Sequence, residues 1–311
     1  MLRASRPIDE LLADPVTPDR LRGQLELVLE ARAFAAALGL EVSEQYTSYV
    51  PWPGDRIVTS LVATRPGEIE PAPFHFPVVG EVPYKGFFAR ERAEAEAAEL
   101  RAQGLDVCEL AVPAYSTLGW LADPVTDPML RSGDISLVET LIHELVHATV
   151  FFADAADFNE GIATFIGQEG AVAFFAARGS GARARALVED ERRVSEALLA
   201  LRQAIGKLYA ETPPGPERDA RRAAFEPETR AELAALPLRE LDAAAIARLT
   251  RLNDACLSIS ATYAADVPAY AARLAALGGD LRRFVALTVA AAEAEDPRAA
   301  ILDGPAPPPS P

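Results

Sequence analysis

The sequence predicts an α+β chain that is predominantly helical, with a small N-terminal sheet and helices packed on a helical C-terminal half. Three observations lead there. Half of the 311 residues are apolar, enough to bury a large core, and Ala and Leu dominate them, which favours helix. Short β-like runs separated by Pro and Gly are confined to residues 44–113. Beyond residue 130, apolar residues recur at helical spacing almost to the end of the chain.

Taken in order, PDRLRGQLELVLEARAFAAALGL (18–40) reads as an amphipathic helix with a Gly stop. EQYTSYV (44–50), DRIVTSLVA (55–63) and FPVVGEVPYKGFF (76–88) read as strands. A Glu/Ala helix over 90–103 leads into a strand, LDVCELAVP (105–113). AYSTLGWLADPVTDPML (114–130) carries too many Pro, Asp and Gly for a regular element, and long irregular connections are usually functional. Helices follow at about 136–152, 158–178, 182–210, 229–250, 253–265, 266–277 and 280–294. ETPPGPERD (211–219) separates two long helices, which predicts an antiparallel helical hairpin. The expected organisation is a mixed half (1–113), an active-site loop with a helical metal-binding half (114–303), and a disordered Pro-rich tail (304–311).

Acidic side chains outnumber basic ones 46 to 30, a net charge of −16, which argues against nucleic acid or an anionic lipid surface as partner. No run reaches the length of a transmembrane span, and MLRASRPIDELLADP lacks an apolar signal core. Read literally, the chain stays in the cytoplasm; a trimmed or mis-set start would leave export or a periplasmic location open. Cys108 and Cys256 sit in apolar surroundings and read as buried inert thiols, with a single disulfide the alternative.

Two of the three histidines, His143 and His147, stand four apart in HELVH. On a helix they lie one turn apart on one face, with Glu144 projecting beside them. That is the mechanical content of H-E-x-x-H: two imidazoles converge on an ion and the glutamate acts as base. A catalytic zinc needs a third protein ligand and an open position. Glu160, thirteen residues after His147 in FNEGIATF, supplies a third ligand near the start of a second helix. Gly161, Ala163 and Gly167 are small enough to let the two helices approach. The alternative reads Asp157 and Glu160 as a capping box, with Asp157 as N-cap. Asp154 and Glu169 are weaker ligands: the metzincin Gly and His are missing after Asp154, and Glu169 points away from Glu160.

His143-Glu144-x-x-His147 followed by Asn159-Glu160-Gly161 resembles the gluzincins, zinc peptidases whose third ligand is a Glu in an N-E-G-like motif. The interval between the two motifs is shorter here. The whole chain resembles the bacterial "putative aminopeptidase" family, through PIDELLADP (7–15), LVLEARAFAAALGL, FPVVGEVPYKGFF, VPAYSTLGWLADPV (112–125), HELVHATVF, FNEGIATF and LNDACLSISATYAADVPAY (252–270).

The resemblance implies a zincin-like fold and a zinc metallopeptidase, acting as an aminopeptidase on peptide substrates, with one Zn²⁺ held by His143, His147 and Glu160. Glu144 would be the general base acting on a metal-activated water. Tyr263 is the preferred donor to the oxyanion, with Tyr115 in reserve and His75 the one spare histidine. Tyr115 and Trp120 could wall a side-chain pocket, and Ser116 and Thr117 could bond a substrate backbone; a plugging loop is the alternative. Asp123, Asp127 and Glu139 are candidates to receive a substrate ammonium.

Three features depart from the family pattern. His75 and Glu81 replace the cysteines that usually flank F-P-V-x-G, and no export signal is present. Thr164 stands where thermolysin-like sites place an orienting Asp, leaving Thr164 and Asn159 to support the ligands. The competing classes are a non-catalytic zincin-like binding protein, which has no use for Glu144, and a helical interaction protein that binds no metal.

Overall fold

The computed structural model describes residues 5–76, 80–113, 122–153, 155–260 and 266–304. It is predominantly helical, with a few small sheets. The chain forms two compact units: Met1–Asp55 with Pro113–Ala184 and Asp266–Pro311, and Arg56–Val112 with Arg185–Ala265.

The first unit begins with β1 (Arg6–Pro7) and α1 (Ile8–Ala13), which buries Ile8 and Leu11. α2 (Asp19–Ala37) starts behind Pro18 and ends on Gly39, whose φ of 94° lets Leu40 N–H return to the Ala35 carbonyl. β2 (Ser48–Val50) pairs antiparallel with β1 and parallel with β8 (Val125–Thr126), so Tyr49 faces Val125. α4 (Asp127–Arg131) follows at once, and its Asp127 accepts from Tyr49 Oη at 2.9 Å and Trp52 N–H at 2.7 Å. α5 (Asp134–Thr149) and α6 (Ala156–Ala177) pack closely on each other. Leu137, Leu141 and Leu145 recur every fourth residue along α5 and are fully buried, each worth about 1.5–3 kcal/mol of burial. They meet Leu25, Val28 and Ala31 of α2 and Ile162, Phe165 and Ile166 of α6 in one core. α11 (Val267–Ala276), α12 (Leu281–Ala290) and α13 (Pro297–Asp303) close it, with Tyr270 and Phe284 against Phe165. Asp280 and Asp296 cap the last two helices through the Arg283 and Ala299 amides.

In the second unit β3 (Val58–Thr64) is the central strand, antiparallel to both β6 (Lys85–Phe87) and β7 (Asp106–Val112). Every residue of β3 is buried because both its faces are covered. α3 (Arg90–Ala102) sets Ala93 and Ala97 against Leu61, Ala63 and Val107, while α10 (Asp254–Ser258) sets Ala255 against Val62 and Cys108. α7 (Gly181–Glu211) shares a second apolar cluster with α8 (Pro216–Ala235) and α9 (Ala243–Leu249), built on Ile205, Leu233 and Ala247. β4 (Phe74–Phe76) and β5 (Gly80–Val82) form a separate ladder in which His75 is directly opposite Glu81.

Several expectations are corrected. Cys108 and Cys256 are not inert thiols but a disulfide spanning 148 residues. β7 and α10 are brought together by Asp106, which accepts from Asn253 Nδ2 at 2.9 Å and the Ala255 amide at 3.1 Å. The expected helix over 229–250 is two helices, because Pro237 stands just past the end of α8 and cannot extend it; α8 itself starts at Pro216. The irregular stretch expected over 114–130 holds β8 and most of α4 at its C-terminal end. The strand expected over 76–88 is divided between β5 and β6, and the one over 44–50 is reduced to β2. Within residues 7–15, assigned no element from sequence, Ile8–Ala13 form α1.

Candidate metal centre

α5 carries His143 and His147 on one face, and α6 returns beside it to present Glu160. The return is tight because Gly167 lies where a Cβ would sit 2.9 Å from the Glu139 carbonyl oxygen and 3.2 Å from His143 Cβ. Gly170 admits the neighbouring helix in the same way a turn further along α6, against Ile142. The sequence marks Gly167 as a small residue on the approach; it does not single out Gly170.

The connection between the helices is set by Asn159. Its side chain accepts from Phe152 N–H at 2.9 Å and donates to the carbonyls of Phe152 at 2.7 Å and Ala155 at 3.0 Å. α6 therefore begins at Ala156, and its N-cap is Ala155, which makes no side-chain bond. The capping-box alternative falls: Asp157 is already inside the helix, and Glu160 is too deep in it to cap. Glu160 turns to the histidines instead.

His143 Nε2 and His147 Nε2 are 3.1 Å apart, and the two Glu160 oxygens lie 3.5 Å from His143 Nε2 and from His147 Nε2. All three ligand atoms fall within 4.8 Å of one another. Donors on a tetrahedral zinc at bonds near 2.0–2.1 Å are separated by about 3.3 Å. The observed 3.1 and 3.5 Å bracket that separation, so the donor set fits a single small cation of the zinc type. Thr164 Oγ1 is 3.4 Å from His143 Nδ1, the ring nitrogen that does not face Glu160.

The charges around the centre are strongly coupled. Burial alone would raise the Glu160 pKa, but hydrogen bonds from His143 and His147 pull it down to about 2. Burial lowers that of His143, yet Glu160, Glu144 and Glu139 together outweigh it and raise it. Glu144 is raised, by burial first; the two histidines oppose the rise, and Glu160 and Asp123 add to it. A half-buried carboxylate whose proton affinity is lifted beside a cation site is suited to accept and return a proton.

Of the residues singled out in the sequence, His143, Glu144, His147, Asn159, Glu160 and Thr164 come together here. Tyr115, Ser116, Thr117, Trp120 and Tyr263 lie outside the described residues, as does Asp154. Asp127 is occupied by Tyr49 and Trp52, and exposed His75 belongs to the other unit. Asp123, a candidate for the substrate ammonium, adds to the rise at Glu144, and the phenol of Tyr46, which no motif marks, is held neutral by burial first and then by the charges of Glu144 and Asp123.

The "Putative aminopeptidase" family matches residues 1–301. The chain belongs to that family. Its name indicates peptidase chemistry on a peptide substrate. No curated protein and no solved structure matches the chain. Among the described residues no helix is long and apolar enough to cross a membrane.

Proposed function

We propose that the protein is a zinc-dependent metallopeptidase of the gluzincin type, acting as an aminopeptidase. The observation that carries this reading is the convergence of His143, His147 and Glu160 with Glu144 adjacent. A binding-only or structural site would need the three ligands but not a base beside them.

His143, His147 and Glu160 would hold the ion, which when bound supplies Lewis-acid polarisation of a carbonyl and makes water easier to deprotonate. Thr164 fixes the His143 ring from behind, and Asn159 holds the start of α6 so that Glu160 stays in reach. Glu144 takes a proton from the attacking water and returns it to the leaving amine, its raised proton affinity serving both transfers. Tyr263 remains the proposed donor to the oxyanion, and Tyr115, Ser116, Thr117 and Trp120 the proposed substrate contacts.

The test is metal analysis of the purified, zinc-supplemented protein together with a fluorogenic peptide panel. One zinc per chain is expected, retained in Glu144→Gln, with hydrolysis reduced by about 10²-fold or more. Less than half an equivalent in the wild type, or wild-type cleavage by Glu144→Gln, would overturn the reading. Peptides with free amines should be cut in preference to N-blocked ones; the opposite preference removes the exopeptidase assignment alone.

A further inference from the structure

Away from the metal ligands, the first unit carries a cavity of about 460 Å³ between α2, the junction of α4 with α5, and the end of α6. Small-molecule sites typically enclose about 300–1,000 Å³. The walls are tied to one another. Gln24 Nε2 of α2 donates to the Leu130 carbonyl of α4 at 2.6 Å. Arg178, the C-cap of α6, pairs with Glu30 of α2 and lies over the Phe174 ring at 5.0 Å. The cavity is therefore fixed by the protein itself. Asp134 stands nine residues before His143 on α5, a rise of about 13–14 Å, so the cavity is separate from the metal centre.

One lining residue has no structural reason to be what it is. Gly23 lies inside α2, where glycine is the least favourable residue after proline. A β-carbon at Gly23 would meet no protein atom within 4 Å, and its φ does not require glycine. What the missing side chain does is keep the cavity open.

The charged lining is of both signs. Asp19 and Arg20 open α2, and Arg131 and Asp134 stand on either side of the turn into α5; all four are exposed. Among the described residues none of the four takes part in an ion pair, although Arg131 donates to the Gly54 carbonyl. Arg178 is already balanced by Glu30. Two carboxylates and two guanidiniums thus share the cavity with the buried side chains of Leu27 and Leu130. A lone anion would meet the two carboxylates, and a lone cation the two guanidiniums. A small molecule with both charges on an apolar body complements the whole lining.

We propose that this cavity binds a free α-amino acid with an apolar side chain. Its ammonium would face Asp19 and Asp134, its carboxylate Arg20 and Arg131, and its side chain Leu27 and Leu130. The binding does not depend on the proposed function; under that function the ligand is the class of product an aminopeptidase releases.

The test is isothermal titration calorimetry of leucine into the zinc-loaded full chain, comparing wild type with Gly23→Leu. The new side chain starts from a helix position with room for it, so melting temperature and zinc content should hold while the leucine heat is lost. Asp134→Asn, which leaves the cavity open, should weaken leucine by about tenfold or more, the effect of one charged hydrogen bond. N-acetylleucine, without an ammonium, and leucinol, without a carboxylate, should each bind wild type about tenfold or more weaker than leucine. Absence of leucine binding to wild type overturns the proposal. So does leucine heat that persists unchanged in Gly23→Leu and Asp134→Asn, since it then arises elsewhere, as at the metal centre. N-acetylleucine or inorganic phosphate binding as tightly as leucine overturns it in favour of an anion site. Peptide cleavage enters none of these outcomes, so failure of the peptidase reading leaves the test intact.

Discussion

Replacing Gly167 by alanine forces a β-carbon between α6 and the turn of α5 that carries His143. The new carbon would meet the Glu139 carbonyl oxygen at 2.9 Å, His143 Cβ at 3.2 Å and His143 N at 3.4 Å. Carbon–carbon contacts are comfortable only at about 3.5–4.0 Å. The neighbours are backbone and a Cβ, which cannot swing aside, so the helices must separate by a few tenths of an ångström. Overpacking of this kind costs about 1–3 kcal/mol. Alanine returns about 0.5–1 kcal/mol of helix propensity over glycine. The net destabilisation is then about 1–2 kcal/mol, or about 3–6 °C in melting temperature for a unit of this size. The same displacement carries His143 away from His147 and Glu160, and disturbed ligand support typically costs about 10- to 100-fold in metal affinity. Gly170→Ala is the internal control. Its β-carbon meets Ile142 Cδ1 at 2.7 Å and Cγ2 at 3.2 Å, side-chain atoms rather than backbone, so both effects should be smaller. Thermal unfolding by circular dichroism and zinc competition with a chromophoric chelator read the two quantities. If Gly167→Ala binds zinc like wild type and melts no lower than Gly170→Ala, the close approach of α5 and α6 is not what sets the site.

Asn159→Ala leaves Phe152 N–H and two carbonyls without their partner, and should cost about 2–4 kcal/mol of stability with about a tenfold or larger loss of zinc affinity; stability loss without an affinity change would confine Asn159 to a folding role. Asp190, fully buried on α7, accepts from the amides of Arg239, Glu240 and Leu241 at 2.6, 2.7 and 3.2 Å. Asp190→Ala should cost about 3 kcal/mol or more in urea unfolding, since three donors and Arg193 lose a charged acceptor. Burial works to raise the Asp190 pKa, but the three amides and Arg193 bring it below the ordinary value. Its stabilisation is therefore complete above the unfolded carboxylate pKa of about 3.9 and lost as pH falls through the lower folded value, so wild type and Asp190→Ala should converge in acid. Removing the disulfide by Cys108→Ser with Cys256→Ser should lower stability by about 3–5 kcal/mol, the loop-closure value for a ring of this length. No change would mean the ring is closed as firmly by the bonds to Asp106.

Local signals make α2, α5 and α6 legible, because apolar residues at helical spacing and Gly or Pro stops coincide with the ends of elements. HELVH and FNEGIATF are legible for a related reason: His143 and His147 are i and i+4 on one helix, and Glu160 lies just beyond a short connection. Pro237 is masked in the sequence by the Ala, Leu, Arg and Glu around it, each a good helix former. Glu160 is ambiguous there because D-F-N-E satisfies a capping pattern, and only the Asn159 bonds to Phe152 fix where α6 begins. Contacts between residues far apart in the chain leave no trace in sequence when no single periodic element joins them. The pairing of Cys108 with Cys256 is invisible on the same grounds.

That disulfide also turns residues 108–256 into a covalent ring, and the two helices that carry His143, His147 and Glu160 lie within it. A protease that cuts once anywhere inside the ring, such as in the connection between α5 and α6, releases no fragment. The nicked chain migrates as a single species until it is reduced, and only then separates into two pieces. Cuts outside the ring release their pieces at once. Gel mobility with and without reductant thus maps each cleavage to one side of the bond or the other, and tells whether a processed form can still keep His143, His147 and Glu160 in one molecule.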